Sequence, residues 1–373
     1  MNTKIRLTLM NFLQYAVWGA WLISLGAYLG NTLKFDGLQI GSFFATMGIA
    51  SLFMPAVMGI IADRWIPAQR LLGLCHLFAA GFITLAATRT DYNSLYTLVL
   101  LSVMFYMPTI ALSNSVAYNA LEKAGLDTVT HFPPIRVWGT VGFICAMWVV
   151  DLGKMGLSAT QLYFSATLGL ILGLYSFTLP NCPINRSGGG KSIVDLLGLR
   201  AFALFKQRKM AIFFIFSMLL GMSLQITNAF ADGYIKSFGD TGIHGAKYLG
   251  TFGVEHSTIL ISLSQISETL CILLIPFFLK RFGIKRVMLI AMFAWVLRFA
   301  LLGAGNPGPG VWMFILSMIV YGVAFDFFNI SGSLFVEKET SAAIRSSAQG
   351  VFMIMTNGLG AVIGSSLAVG LGN

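Results

Sequence analysis

Carboxamide and carboxylate side chains sit inside long apolar stretches of this chain, spaced one helical turn apart. Gln225 and Asn228 are three residues apart in one apolar run, and Gln265 and Glu268 repeat that spacing in the next. Residues three apart share a face of a helix, and carboxamides both donate and accept hydrogen bonds. Such faces suit a neutral ligand that carries hydroxyl groups and a heterocycle. The alternative is that these side chains bond only one another between helices, but two pairs in consecutive runs favour a binding site.

Most acidic residues lie in loops or at the ends of apolar runs, but Glu268 and Asp326 lie mid-run, and the basic residues Arg136 and Arg298 also fall within runs. A charge at bilayer depth costs at least about 2.5–3.5 kcal/mol, so such residues usually face a wet cavity and have a function. Glu268 is the candidate for proton coupling, because sodium coupling favours several converging oxygen ligands. Asp326 is either a second functional carboxylate or half of a structural pair. Arg136 either acts in the site or extends to the membrane surface, and Arg298 is expected to extend outward from its span.

Aromatic residues in other apolar runs could stack on a planar base. Because the chain contains 31 Phe, aromatic residues alone are weak evidence for a base-binding site. The candidates are Tyr15, Trp18, Phe143, Tyr321 and Phe325.

The composition is that of an integral membrane protein. The chain is 57% hydrophobic, with a mean hydropathy of +0.80, and only 10% of its residues are charged, against about 25% in soluble domains. Its net charge of +10 comes from residues in short loops rather than along one face, which argues against nucleic-acid binding. The four cysteines are scattered, and no metal-ligand spacing, phosphate loop or nucleophile–base pair is present. We therefore expect no disulfide, no metal, no cofactor and no enzymatic activity.

Eleven apolar runs are long enough to cross a bilayer. Six precede a linker at 181–209 and five follow it, so the chain is interpreted as two bundles, at 1–180 and 210–373, with the twelfth helix of a six-plus-six arrangement absent. Residues 192–205 of the linker have apolar residues at helical spacing, which predicts a helix on the membrane surface. The runs are 7–30, 41–62, 71–88, 94–120, 135–153, 160–180, 210–235, 256–279, 286–304, 310–335 and 346–371.

Two short basic motifs recur at equivalent points in the order of spans, as expected for a duplicated bundle. Asp63 is followed about 217 residues later by Lys280. The residues assigned to these conformational loop motifs are Gly59, Asp63, Arg64, Arg281, Gly283, Lys285 and Arg286. The excess of Lys and Arg in the same set of loops as the N-terminus predicts a cytoplasmic N-terminus.

Five strings closely resemble the bacterial nucleoside:proton symporters of the major facilitator superfamily. They are 12–21, 132–140, 224–228, 264–268 and 325–333, and the likeness covers nearly the whole chain. The resemblance implies a twelve-helix, all-α fold and alternating access in the bacterial cytoplasmic membrane. It also implies proton-driven uptake of purine and pyrimidine nucleosides, such as uridine and adenosine, by a monomer surrounded by lipid.

The resemblance also implies a nucleoside site lined from both halves of the chain. The implied substrate-binding residues are Arg136, Thr140, Phe143, Gln225, Asn228, Gln265, Glu268, Tyr321 and Phe325, with Glu268 and Asp326 in proton coupling. Asp232, near the outer end of the seventh span, departs from the pattern. Two other functions stay open: symport of another polyhydroxylated solute such as a sugar, and ligand sensing without transport.

Overall fold

The computed structural model describes residues 2–182, 199–244, 247–340 and 345–367, and the regular elements in these ranges are all helical. The first half contains six long helices. They are α1 (Thr3–Gly19), α2 (Gly37–Arg64), α3 (Ala68–Ala87), α4 (Tyr92–Lys123), α5 (Thr128–Leu152) and α6 (Thr160–Ser176).

The second half contains α7 (Arg208–Ser237), α8 (Ser257–Ala304), α9 (Val311–Glu339), α10 (Arg345–Met353) and α11 (Gly360–Leu367). A π-helical segment, Ile354–Leu359, joins the last two. Short helices Leu199–Lys206, Thr241–His244 and Phe252–Glu255 lie in the connections. Among the described residues, seven helices are long and apolar enough to cross a membrane: α2, α3, α4, α5, α7, α8 and α9.

Helix α8 contains two of the predicted spans. Its 48 residues extend about 70 Å at 1.5 Å per residue, more than twice the roughly 30 Å of a bilayer core. Gly283 interrupts it with φ 73° and ψ 165°, a conformation that glycine adopts without steric cost. Residues 257–282 and 284–304 are therefore two membrane-crossing arms, as the apolar runs predict.

The first predicted span, 7–30, is not one continuous helix. Helix α1 ends at Gly19, and the chain continues through a turn, a short helix Leu25–Ala27 and a π-helical segment Tyr28–Thr32. The Trp18 carbonyl accepts the N–H groups of both Trp21 and Leu22, at 3.3 and 3.0 Å. The Trp21 bond spans three residues, as in a 3-10 helix, whereas the Leu22 bond keeps the four-residue spacing of an α-helix.

Side chains fix the starts of α2 and α4. At α2, the Gln39 N–H donates to Asp36 at 2.7 Å, and the Asp36 N–H donates to the Gln39 side chain at 3.1 Å, a reciprocal capping box. At α4, the Ser94 N–H donates to the Asp91 carboxylate at 2.9 Å. These caps satisfy amides that have no partner within the helix.

Small residues let the last helices approach α7 and α2 closely. A Cβ on Gly360 would lie 2.8 Å from the Met218 carbonyl oxygen, and one on Gly364 would lie 2.6 Å from the Met222 backbone. A Cβ on Gly358 would lie 2.7 Å from Leu52. Close approach through small residues is typical of membrane helices.

The two ends of the molecule differ. We call the end that carries residues 20–36, 238–244 and 247–256 the loop face, and the end that carries residues 181–182 and 199–207 the linker face. At the loop face, the His256 ring nitrogen lies 2.5 Å from an Asp151 oxygen, and Trp148 donates to Ser262 at 2.9 Å. These are the hydrogen bonds between side chains of the two halves that the described residues show, and both join α5 to the start of α8. The halves are thus bonded together near the loop face.

In the linker, Leu199–Lys206 forms a 3-10 helix, and the rest of the helix predicted at 192–205 lies outside the described residues. The division into bundles at 1–180 and 210–373 stays a prediction.

Candidate functional site

Helix α5 presents three of the predicted site residues at the spacing of one helical face. The guanidinium carbon of Arg136 lies 3.9 Å from the centroid of the Tyr15 ring on α1. Phe143 is buried and meets Trp18 edge-on, with ring centroids 6.2 Å apart. Thr140 lies one turn after Arg136 and is half-buried, and its hydroxyl has no hydrogen-bond partner among the described residues. A cation on an aromatic ring is a favourable contact that leaves the N–H groups of Arg136 free to donate.

On α7, Gln225 and Asn228 bond each other. The Asn228 amide nitrogen donates to the Gln225 oxygen at 3.2 Å. This contact is the structural alternative that their spacing allowed, but it uses one donor and one acceptor of the pair. Each carboxamide keeps further hydrogen-bonding capacity, and Asn228 is only half-buried.

The first arm of α8 carries Gln265 and Glu268, both half-buried and neither with a side-chain partner in the described part of the chain. The Glu268 carboxylate and the Arg136 guanidinium interact electrostatically, and Tyr15 interacts with both. Arg136 and Glu268 come from opposite halves and form no direct ion pair. They therefore hold opposite charges on the two sides of one site.

Helix α9 adds an aromatic pair and a second carboxylate. The rings of Tyr321 and Phe325 are stacked, with centroids 5.6 Å apart and an interplanar angle of 5°. Asp326 is 5% exposed, and its Oδ2 atom has no hydrogen-bond partner. It interacts electrostatically with Glu268. Glu268 thus interacts with both Arg136 and Asp326 within the membrane-spanning region.

A small cavity of about 20 Å³ lies beside Phe325 in the second half, with Leu224, Trp295 and Asn329 among its lining residues. That volume holds about one water molecule, whereas pockets for small molecules measure about 300–1,000 Å³. A solute the size of a nucleoside therefore needs more space than this cavity provides.

Arg298 does not extend outward, so that expectation is wrong. It is 2% exposed. Its Nη1 atom donates to the Ser317 carbonyl at 3.2 Å and lies 3.5 Å from the Ser264 hydroxyl, while Nε has no partner. The Ser317 hydroxyl donates back to the Arg298 carbonyl at 3.0 Å. These contacts hold the side chain between α8 and α9.

Asp232 is also buried, at 1% exposure. It pairs with Lys236 at 2.7 Å and accepts hydrogen bonds from the hydroxyls of Ser257 at 2.5 Å and Thr258 at 3.2 Å. The carboxylate that departs from the family pattern therefore fastens α7 to the start of α8 at the loop face. The four-residue spacing of Asp232 and Lys236 was a usable signal for this pair.

The loop motifs lie away from this site. Arg281, Gly283, Lys285 and Arg286 are exposed at the bend of α8. Gly59 lies in α2, while the side chains of Asp63 and Arg64 are outside the described part. The conformational role of these residues stays a prediction.

Two of the histidines make contacts within the fold. His76 is fully buried and bonds the Gln14 side chain at 2.8 Å, and His256 bonds Asp151. The four cysteines are free, and the described residues contain no group of three or more His, Cys, Asp or Glu suited to a metal ion.

Comparison with known proteins gives consistent matches in sequence and in fold. The model of the nucleoside H+ symporter family matches residues 1–371. The nucleoside permease NupG of Escherichia coli K12 is 52% identical over 98% of this chain and 86% of its own length. The xanthosine permease of the same organism is 51% identical over 99% of this chain and 87% of its own.

Solved structures match this chain in fold, in agreement with the sequence comparison. A crystal structure of NupG superposes with a TM-score of 0.92, at 51% identity, covering all of this chain and 91% of the other. A D-xylose–proton symporter matches in fold alone, with a TM-score of 0.66 at 13% identity over 99% of this chain and 90% of its own. The architecture is the membrane-spanning helical fold of the major facilitator superfamily. From the family match and the identity to its members, this chain belongs to the nucleoside H+ symporter family.

Proposed function

We propose that this chain carries purine and pyrimidine nucleosides together with protons across the bacterial inner membrane by alternating access. The observation that supports the proposal is a set of polar side chains, contributed by both halves, that have no hydrogen-bond partner among the described residues. Thr140 and Arg136 come from one half, and Gln265 and Glu268 come from the other. Unsatisfied polar groups within a membrane are costly, and a hydroxyl-rich ligand would satisfy them.

In the proposed roles, each side chain type matches one part of a nucleoside. The carboxamides of Gln225, Asn228 and Gln265, with Glu268, bond the ribose hydroxyls and the edge of the base. Phe143 and Phe325 pack on the base. The chain is 52% identical to a nucleoside permease and 51% identical to a xanthosine permease, which supports nucleosides as the substrate class.

Proton coupling is assigned to Glu268 and Asp326. Their charges act on each other inside the membrane-spanning region, and two like charges in a medium of low polarity are most stable when one of them is neutralised. Arg136 favours the ionised form of the carboxylate nearest to it. Arrival of substrate beside Arg136 and Glu268 would change this balance, which is the coupling that a symporter needs.

The linker face is assigned to the cytoplasm. Among the described residues, Lys206, Arg208 and Lys209, the basic residues at the bend of α8 and those near the N-terminus lie on this side, as the charge bias of membrane proteins predicts. The halves are bonded near the loop face, through Asp151–His256 and Trp148–Ser262. This conformation would then be closed to the outside. The protein is proposed to act as a monomer in contact with lipid.

Calorimetric titration of the purified chain tests the substrate, with glucose as the control ligand. We expect heat on addition of uridine and none with glucose. Heat with glucose alone would favour the sugar symporter instead. Counterflow of labelled uridine in proteoliposomes then tests transport: a sensor that binds without moving its ligand gives binding heat and no counterflow.

A further inference from the structure

Arg298 is a buried cation to which the proposed transport cycle gives no task. It lies in the second arm of α8, is 2% exposed, and forms no ion pair among the described residues. Burying a charge without a counter-ion destabilises a protein, and a well-packed apolar side chain in its place often stabilises the fold. Its presence therefore calls for an explanation other than stability.

The contacts of Arg298 fix its guanidinium in one place. Nη1 donates to the Ser317 carbonyl at 3.2 Å, and the Ser317 hydroxyl donates to the Arg298 carbonyl at 3.0 Å. The guanidinium carbon lies 5.9 Å from the centroid of Trp295, one turn earlier on the same helix. The side chain is thus held between two helices, with its planar group against aromatic rings.

Tyr321 is the aromatic ring nearest to it. The guanidinium carbon lies 4.5 Å from the ring centroid, and Trp295 meets the same ring edge-on, with centroids 6.1 Å apart at 85°. Tyr321 in turn stacks on Phe325 at 5.6 Å and 5°. A cation on a ring in a desolvated setting is a strong contact. Arg298 therefore restrains the Tyr321 ring, and the Tyr321 ring in turn restrains the Phe325 ring that stacks on it.

Phe325 depends on this restraint because the packing around it is incomplete. It borders the cavity of about 20 Å³ in the second half, and it is half-buried, whereas Tyr321 is 5% exposed. A ring next to an empty volume loses contacts on that side. The stack on Tyr321 restrains the plane of the Phe325 ring.

We propose that Arg298 is a positioning residue for substrate binding: through Tyr321 it fixes the orientation of the Phe325 ring that packs on the nucleobase. The inference rests on the proposed nucleoside site. Arg298 itself does not touch the substrate. A lysine in its place keeps the charge but lacks the planar group that stacks on an aromatic face.

Exchange of labelled uridine in proteoliposomes without a proton gradient tests this assignment. Arg298→Met is expected to raise the KM for uridine about tenfold, while the maximal exchange rate stays within about twofold. This pattern results when the lost interaction stabilises the bound substrate and the transition state equally. Arg298→Lys is expected to raise the KM by a smaller factor and keeps the inference testable if the Met variant does not fold. Arg89→Met, at an exposed position, is the matched control and should leave both constants unchanged.

A double-mutant cycle separates positioning from a general structural role. Tyr321→Leu should raise the KM, and the double variant with Arg298→Met should be no worse than Tyr321→Leu alone. Factors that multiply, or an unchanged KM in Arg298→Met and Arg298→Lys, would overturn the inference. If the unmodified protein exchanges no uridine, the nucleoside proposal fails, and this inference fails with it. If the unmodified protein exchanges uridine and the Arg298 variants have the same KM, only this inference fails.

Discussion

Neutralising Asp151 should open the loop face. The Asp151 side chain is 3% exposed and lies 2.5 Å from His256, whose side chain is 31% exposed. The pair joins α5 to α8, so it exists only while the two halves are closed at this face. Removing a contact that one conformation makes and the other lacks shifts the population toward the other. Asp151→Asn is therefore expected to favour the conformation open at the loop face.

The size of the shift follows from the chemistry of the pair. A hydrogen bond to a charged group contributes about 1.5–3 kcal/mol, and we take the lower end because His256 is partly exposed. Asparagine can still accept from the imidazole, and a neutral hydrogen bond is about half as strong as a charge-assisted one. The loss is then about 0.8 kcal/mol, which is roughly a fourfold change in the ratio of the two conformations.

The assay is the rate of maleimide labelling at a cysteine introduced at Ala27, which is 1% exposed near the loop face, in a background that lacks the four natural cysteines. Asp151→Asn should raise the labelling rate about fourfold. Glu255→Gln is the matched control, since it makes the same chemical change one residue from His256 at an exposed position. An unchanged or slower labelling rate in Asp151→Asn would refute the reasoning.

Three further predictions test other parts of the site and fold. Glu268→Gln should abolish accumulation of uridine against its gradient but keep uridine exchange, because a carboxamide binds hydroxyls but carries no proton; accumulation that persists contradicts the coupling role. Deoxyuridine should compete more weakly than uridine, because polar groups built to bond a hydroxyl are left unpaired without it; equal competition argues against ribose contacts. Gly221→Ala should lower the thermal midpoint by several degrees, because its Cβ would collide with the Thr356 carbonyl oxygen, whereas Gly233→Ala, with open space around it, should not.

The spans and their order follow from local sequence alone. Apolar runs of about 20 residues specify membrane helices because backbone groups in lipid must be satisfied within the segment. The two arms of α8 were predicted in this way, and Gly283 separates them as a residue that tolerates positive φ. The close approach of helices at Gly358, Gly360 and Gly364 can also be predicted from the sequence, because small residues are typical of tight helix contacts.

Contacts between residues far apart in the sequence could not be predicted from the sequence. Asp151 and His256 are 105 residues apart, and no local spacing relates them. Arg298 lies near the end of a span, where an arginine usually extends to the surface. It is buried because Ser317 and Tyr321 on the neighbouring helix receive its guanidinium. A pairing of this kind depends on how the helices pack, which hydropathy does not encode.

The central claim is that nucleosides move with protons, and uptake into proteoliposomes under an imposed pH gradient tests it most directly. With the outside acidic, labelled uridine should accumulate above its external concentration, and a protonophore should abolish the accumulation. Labelled glucose, the control, should only equilibrate slowly. Uridine that never exceeds equilibrium in vesicles that sustain the gradient, or glucose that accumulates in its place, would contradict the account.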